Sequence, residues 1–220
     1  MSRDNLQRPL LDDYYERYLV NQDLPTYVRA VVKRYQIGSL ERLALSGERM
    51  TRRGSVLALG RLGDYSSNGV LGRALKDRDR GVRTLAENGI RRLWMRLGTP
   101  GQQRRLVATA DRLSDKQYEL VVKSASCLVK DAPWIAEAWY HRGMAYFHLG
   151  QYDSATSDCN QALEINPYHY SAASIMGQSY LQANNPVAAL ESFRRALRLN
   201  PNMEEVRAQV IHLQRSLKNE

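Results

Sequence analysis

The histidines are the first residues to consider for chemistry, because an imidazole can bind a metal or move a proton near neutral pH. The chain has four of them: His141, His148, His169 and His212. His141 and His148 stand seven residues apart, so both lie on one face of a helix, which is a weak indication of a metal pair. No HExxH sequence is present. We interpret these histidines as ordinary polar positions, and the sequence predicts no metal site and no cofactor.

Nucleophilic and phosphate-binding motifs are also weak. Ser154, Ser157 and Asp158 near His148 could be written as a catalytic triad, but such residues are common on any helical surface. Paired glycines at 60–63 and 69–72 lack the spacing and the preceding strand of a phosphate loop. The sequence therefore predicts no catalytic residue and a protein that is not an enzyme.

Arginine is the feature that stands out in the middle of the chain. The formal net charge is +9, and residues 40–112 hold sixteen basic and seven acidic side chains, of which only Lys76 among the basic ones is not arginine. The guanidinium group suits phosphate and carboxylate ligands. We predict a basic surface formed by nine residues: Arg49, Arg52, Arg53, Arg78, Arg80, Arg83, Arg91, Arg92 and Arg96.

Two uses of these arginines remain open. They could bind an acidic protein surface or nucleic acid, or they could pair with nearby aspartates and hold the fold together. Aromatic side chains that could stack on bases are scarce, since Tyr65 and Trp94 are the only ones in residues 40–112. The sequence therefore favours structural or protein-facing use, with nucleic-acid binding as the alternative.

The elements that must position these residues are repeats. A period of 34 residues relates 136–169 to 170–203, and the matched positions are Gly143/Gly177, Tyr146/Tyr180, Ala155/Ala189, Ala162/Ala196 and Asn166-Pro167/Asn200-Pro201. With Trp139 ahead of the first glycine, this pattern resembles the tetratricopeptide repeat (TPR). Residues 102–135 have the length of a further, degenerate repeat that keeps Pro133 at its closing position.

The TPR resemblance implies a binding groove lined by one face of the first helix of each pair. Carried onto this chain, the groove residues are Glu137, Tyr140, Met144, Phe147, Ser171, Ser174, Gln178 and Leu181. The alternative is that some of these side chains contact the next repeat and belong to the core. The TPR clamp for acidic chaperone tails uses lysine and asparagine, whereas its positions here hold Tyr140, Met144, Ser174 and Gln178. The resemblance thus implies a protein or peptide partner of another kind.

A second repeat, offset by 31 residues, relates Leu40 to Leu71, Arg52 to Arg83, Ser55 to Ala86 and Leu59 to Ile90. Together with the turn sequence 77–81 it resembles HEAT-like repeats of the phycobilisome-lyase type. That resemblance implies that an arginine such as Arg52 or Arg83 pairs with a turn aspartate, here Asp64, Asp77 or Asp79.

The predicted architecture is all-α, a right-handed α-solenoid of stacked helix pairs. Its segments are N-terminal helices at 1–38, a HEAT-like segment at 39–98, a degenerate TPR at 102–135, TPRs at 136–169 and 170–203, and a capping helix at 204–220. Gly38-Ser39 is expected to end the second helix, and Gly98 to Gly101 to separate the two repeat types.

The remaining composition excludes other classes. No run of about 18 apolar residues suits a membrane span, and the opening residues suit no signal peptide. Cys127 and Cys159 are too far apart for a CxxC site. We expect a cytoplasmic, non-enzymatic scaffold or adaptor that binds a protein or peptide in the TPR groove and carries a basic flank; a nucleic-acid-binding protein is the alternative.

Overall fold

The computed structural model describes residues 9–218, and within them it contains thirteen α-helices, one short 3₁₀ helix and no strand. The predicted all-α class is confirmed. The chain divides into two compact units, one ending at Leu93 and one beginning at Trp94. The division falls inside a helix, a few residues before the predicted break at Gly98.

The first unit contains six α-helices. They are α1 (Leu10–Asn21), α2 (Leu24–Val32), α3 (Ile37–Ser46), α4 (Arg49–Leu62), α5 (Asn68–Ala74) and α6 (Arg80–Trp94), with a 3₁₀ turn at Tyr65–Ser67. The Asp23 carboxylate accepts a hydrogen bond from the Thr26 N–H at 3.0 Å, which caps the start of α2. The assignment of residues 39–98 to a HEAT-like repeat stays a prediction.

One predicted boundary is wrong. Helix α2 already ends at Val32, and Gly38 and Ser39 lie in the first turn of α3 rather than at the end of a helix. Glycine is tolerated there because the turn is closed by its neighbours: the Leu40 N–H donates to the Gln36 carbonyl at 3.1 Å. The predicted segment border at residue 38 therefore falls inside α3.

Helix α4 is the centre of the first unit and packs against α1, α2, α3 and α5. Nearly all of its residues from Thr51 to Gly60 are buried. Gly60 lets α4 and α6 approach closely, because a Cβ atom placed on Gly60 would lie 2.6 Å from the Cα atom of Gly89. The buried residues of α4 are thus covered on several sides at once.

The second unit contains seven α-helices after the end of α6. They are α7 (Pro100–Ser114), α8 (Tyr118–Asp131), α9 (Ala136–His148), α10 (Tyr152–Ile165), α11 (Tyr170–Gln182), α12 (Pro186–Leu199) and α13 (Glu204–Ser216). Thr99 and Gln102 form a capping box at the start of α7, so the predicted break at 98–101 is a helix restart. Consecutive helices pack on one another, α7 on α8 through to α12 on α13.

Small residues set the spacing within the helix pairs α9–α10 and α11–α12. A Cβ atom on Gly143 would lie 2.9 Å from the Cys159 sulfur, and one on Gly177 would lie 2.5 Å from the Phe193 ring. The last helix, α13, buries Val206, Val210 and Leu213 against the core of the second repeat, as a solenoid cap does. None of the helices of residues 9–218 is long and apolar enough to cross a membrane.

Candidate functional site

The predicted groove wall lies on α9 and α11, and it is more buried than an open groove requires. Four apolar members are partly buried and pack against the hydrophobic core of the second unit: Tyr140, Met144, Phe147 and Leu181. Ser171 and Gln178 are partly exposed. Glu137 and Ser174 are buried at 8% and 7% exposure, so neither carries a ligand-facing side chain. The prediction that Glu137 and Ser174 line the groove is therefore wrong, because both side chains are buried.

Glu137 belongs to a buried polar cluster that the sequence analysis missed. Its carboxylate lies 2.9 Å from Nε2 of His169 and 3.8 Å from Nε2 of His141. Nδ1 of His169 accepts the Ala172 N–H at 3.2 Å, so Nε2 of the neutral ring carries the hydrogen and donates it to Glu137. The Trp94 ring stacks on His169 with a centroid distance of 4.6 Å. The only sequence signal was the four-residue spacing of Glu137 and His141.

Acid destabilises this cluster. Burial lowers the pKa of His141 below its ordinary 6.5, although the Glu137 carboxylate acts in the opposite direction. A folded-state pKa below the unfolded one gives stability that is present above the unfolded pKa and is lost as the pH falls towards the folded pKa.

We therefore expect the free energy of unfolding of the full chain to fall as the pH drops below about 6.5, the ordinary pKa of histidine, by up to about 1.4 kcal/mol per pH unit from His141 alone. Urea titrations of the wild type and of His141→Leu measure this, because all other titrating groups are shared. A fall of the same size in both proteins would remove His141 as its source.

The turn at residues 77–79 engages three of the nine predicted surface arginines. Arg52 donates two hydrogen bonds to Asp77, at 2.7 and 2.9 Å, and a third to the Gly47 carbonyl at 3.0 Å. Arg53 binds Asp79 in the same bidentate way, at 2.7 and 2.8 Å. Arg83 donates to the Asp77 carbonyl at 2.9 Å. The pairing of an arginine with a turn aspartate, left open by the sequence, is present at Asp77 and Asp79.

The pKa of both turn aspartates is lowered, but burial is the largest single effect only at Asp77. Hydrogen bonds from Arg53 lower the pKa of Asp79 to about 2. Burial raises the pKa of Asp77, but the hydrogen bonds from Arg52 and from the Asp79 N–H outweigh it and leave that pKa below its usual value. Asp64, the third candidate, instead accepts hydrogen bonds from Ser66.

The other predicted members of the basic surface are exposed: Arg49, Arg78, Arg80, Arg91, Arg92 and Arg96. Arg52 is 5% exposed and cannot reach a large ligand without breaking its pair with Asp77. The available basic surface is therefore smaller than the sequence predicts.

Arg142 joins three helices of the second unit. Its guanidinium group binds Asp158 of α10 in a bidentate pair, at 2.7 and 2.8 Å, and donates to the Ser126 hydroxyl of α8 at 3.1 Å. It also lies over the Trp139 ring, 5.0 Å from the centroid. Charged, hydrogen-bonded and flanked by an aromatic ring, this arginine occupies the space between α9 and α10.

No cluster of metal-binding side chains appears in the described part of the chain. No three histidine, cysteine or acidic side chains of residues 9–218 converge on a point that could hold a metal ion. Burial raises the pKa of the Cys159 thiol, which keeps it protonated and unreactive.

Comparison with known proteins identifies the repeats of the second unit. Residues 136–169 and 171–203 each match the family model of the tetratricopeptide repeat, so these two segments are TPRs. Tetratricopeptide repeat protein 37 of Xenopus laevis is 31% identical over 90 residues, which are 41% of this chain and 6% of that protein. Small glutamine-rich tetratricopeptide repeat-containing protein 2 of Saccharomyces cerevisiae is 28% identical over 85 residues, 39% of this chain and 25% of that protein. The chain thus spans only a small part of these relatives.

Solved structures show the same fold for about half of the chain. The first TPR domain of Spaghetti (RPAP3), bound to the HSP90 peptide SRMEEVD, superimposes with a TM-score of 0.52 at 20% identity and covers 56% of this chain and 97% of that chain. The TPR2B domain of yeast Sti1, in complex with an Hsp70 peptide, gives 0.50 at 18% identity and covers 54% and 99%. This part of the chain therefore has the fold of a TPR domain.

Proposed function

We propose that the protein is a non-enzymatic adaptor in the cytoplasm that binds a segment of a partner protein along the first helices of its two TPRs. The observation that carries this proposal is the tandem repeat of 136–203, in which α9 and α11 both present one face away from their own paired helix. Tyr140, Met144 and Phe147 on α9 keep part of their apolar surface exposed. Such a wall suits an extended or helical segment with apolar anchors.

The partner is proposed to differ from the chaperone tails bound by the two solved neighbours. An acidic tail needs cations or amides along its path, and Tyr140 and Met144 offer neither. Ser174 is buried and Gln178 is only partly exposed. A segment that places apolar side chains against Tyr140 and Met144 fits this surface better.

A bulky cation on the groove face tests the proposal. We expect Gln178→Arg to reduce at least tenfold the amount of partner protein that co-purifies with the tagged full chain from cells, because the long charged side chain desolvates poorly in an apolar groove. The matched control is Gln209→Arg, the same change at an exposed position of α13. Quantitative mass spectrometry of both captures gives the comparison. Equal capture by the two variants contradicts the groove assignment.

The exposed arginines of residues 49–96 are proposed as a flank that meets an acidic protein surface. Nucleic acid is the alternative partner. Fewer arginines are available to bind it, because Arg52, Arg53 and Arg83 contact the turn at 77–79. We expect mixed-sequence RNA and DNA to show no micromolar binding in fluorescence anisotropy at about 150 mM salt. Micromolar binding that weakens steeply as salt rises from about 50 mM would instead favour nucleic acid.

A further inference from the structure

The space between the two helices of a TPR pair recurs with the 34-residue period, and each pair fills it differently. In the pair α9–α10 it is filled by Trp139, Arg142 and Tyr146 on the first helix and by Asp158 on the second. The Arg142–Asp158 pair closes it, with both side chains largely buried at 16% and 6% exposure. This pair shows how a guanidinium group holds a carboxylate at this position of the repeat.

The pair α7–α8 lacks both partners of that ion pair. Thirty-four residues before Arg142 stands Ala108, and thirty-four before Asp158 stands Ser124. The aromatic positions of Trp139 and Tyr146 become Arg105 and Arg112. The result is an open groove of about 590 Å³ between α7 and α8, lined by all four of these residues together with Arg104 and Cys127. Its volume lies in the range of ordinary ligand sites.

The groove carries excess positive charge. Neither Arg104 nor Arg112 has an ion-pair partner among residues 9–218. Arg105 pairs with Asp131 at 2.9 Å, but that pair is 44% and 51% exposed and therefore weak. Relative to α9–α10, these four positions lose Asp158 and Arg142 and gain Arg105 and Arg112, so their summed formal charge changes from zero to +2.

We propose that the groove between α7 and α8 binds an acidic segment of a partner protein, with a guest carboxylate in the place that Asp158 takes in the next repeat. Arg104 and Arg112 stand eight residues apart on one helix face, which is about 12 Å. An extended segment covers this distance in about four residues, and its alternate side chains point the same way. Acidic residues at alternate positions of an extended segment therefore match the spacing of the arginines.

The lining favours a peptide over a nucleic acid. No aromatic side chain lines the groove, so bases find nothing to stack on. Ala108 contributes a small apolar side chain to the lining, which leaves room for a peptide backbone. The groove shares no residue with the wall on α9 and α11, so it can bind its ligand whether or not the proposed adaptor function is right.

The test uses the full chain and three fluorescein-labelled probes in anisotropy titrations at about 100 mM salt. The first is a peptide with three aspartates at alternating positions between serines, the second is its asparagine analogue, and the third is a ten-nucleotide deoxythymidine strand. We expect the aspartate peptide to bind at least tenfold more tightly than the asparagine analogue. Arg104→Gln and Arg112→Gln each weaken its binding at least fivefold.

Two variants distinguish binding in the groove from non-specific attraction to the positively charged protein. Arg34→Gln removes the same charge from an exposed position of the first unit that lies outside the basic surface, and it leaves the dissociation constant within twofold. Ala108→Arg combined with Ser124→Asp recreates the ion pair of the next repeat without changing the net charge, and it weakens binding at least tenfold. Tryptophan fluorescence and far-UV circular dichroism check folding; if the double variant does not fold, the two glutamine variants still decide the matter.

Three results overturn the proposal. The first is an asparagine analogue that binds as tightly as the aspartate peptide, and the second is a folded double variant that binds as the wild type does. The third is a deoxythymidine strand that binds more tightly than the aspartate peptide and loses affinity in the same glutamine variants, because the site is then one for nucleic acid.

Discussion

Asp77→Ala lowers the free energy of unfolding of the first unit by about 3–5 kcal/mol, because it leaves the Arg52 guanidinium buried without its carboxylate. Arg52 is 6% exposed at its side chain and Asp77 is 13% exposed, so water cannot replace the lost partner. The change also removes the acceptor for the Asp79 N–H, which donates to Asp77 at 2.7 Å. Urea denaturation followed by far-UV circular dichroism measures the loss.

An exposed carboxylate gives the matched control for this prediction. Asp131→Ala removes the same group from the exposed pair with Arg105 and is expected to cost less than about 1 kcal/mol. Replacing both members of the buried pair, as Arg52→Met with Asp77→Leu, is expected to recover much of the loss, since no unpaired charge remains. A loss below about 1 kcal/mol for Asp77→Ala itself would show that the arginine does not depend on this pair and is available for ligands.

Gly60→Leu is the second large effect and acts through the backbone. A Cβ atom on Gly60 meets the Cα atom of Gly89 at 2.6 Å, and the reverse contact is 2.9 Å. A side chain could rotate away from such a contact, but a backbone atom moves only if the two helices separate. We expect a loss of about 3 kcal/mol or more, at the upper end of overpacking costs.

Gly38→Leu is the control, since it makes the same change in another helix of the same unit. A Cβ atom on Gly38 meets nothing within 4 Å, and the residue is exposed. Leucine there is expected to stabilise the chain by about 0.5–1 kcal/mol, because glycine is the poorer helix former. Chemical denaturation of the two variants side by side decides the point, and similar effects of the two changes would contradict the close crossing of α4 and α6.

The helices could be predicted because the sequence repeats its packing positions. Gly143 and Gly177 stand where each first helix meets its paired second helix, and the structure puts Cys159 and Phe193 against them. Where the repeat pattern is weaker, the helix boundaries in the structure differ from the predicted ones. Gly38 and Ser39 look like a helix end, yet they lie inside α3, because glycine alone does not end a helix whose next turn closes.

The candidate site was less predictable, since it depends on contacts between residues far apart in sequence. Glu137 was predicted to line a groove, but His169, the residue that precedes α11, hydrogen-bonds to it and holds it in the interior. Ser174 is also buried, on α11, a helix that packs against α9, α10 and α12. The position of a residue in the repeat pattern predicts which face of a helix it occupies. It does not predict how deeply that face is buried.

The arginines divide in a way that composition cannot resolve. Arg52 and Arg53 are neighbours in sequence and both bind turn aspartates, whereas Arg91 and Arg92 are neighbours and both are exposed. The difference lies in Asp77 and Asp79, which stand about 25 residues away and face α4 only when the turn is folded. The excess of arginine in the sequence predicts a basic surface. The contacts of the folded turn determine which arginines remain exposed on it.

The proposed adaptor function is tested most directly by photo-crosslinking from two positions of the full chain in living cells. A benzophenone amino acid replaces Gln178 on the TPR groove face in one protein and Arg91 on the basic surface in the other. We predict discrete protein crosslinks from position 178, which disappear when Met144→Glu is added, and no crosslinked nucleic acid from position 91. Nucleic acid crosslinked at position 91, together with no protein crosslink at position 178, would contradict a protein-binding adaptor and make the basic surface the working site.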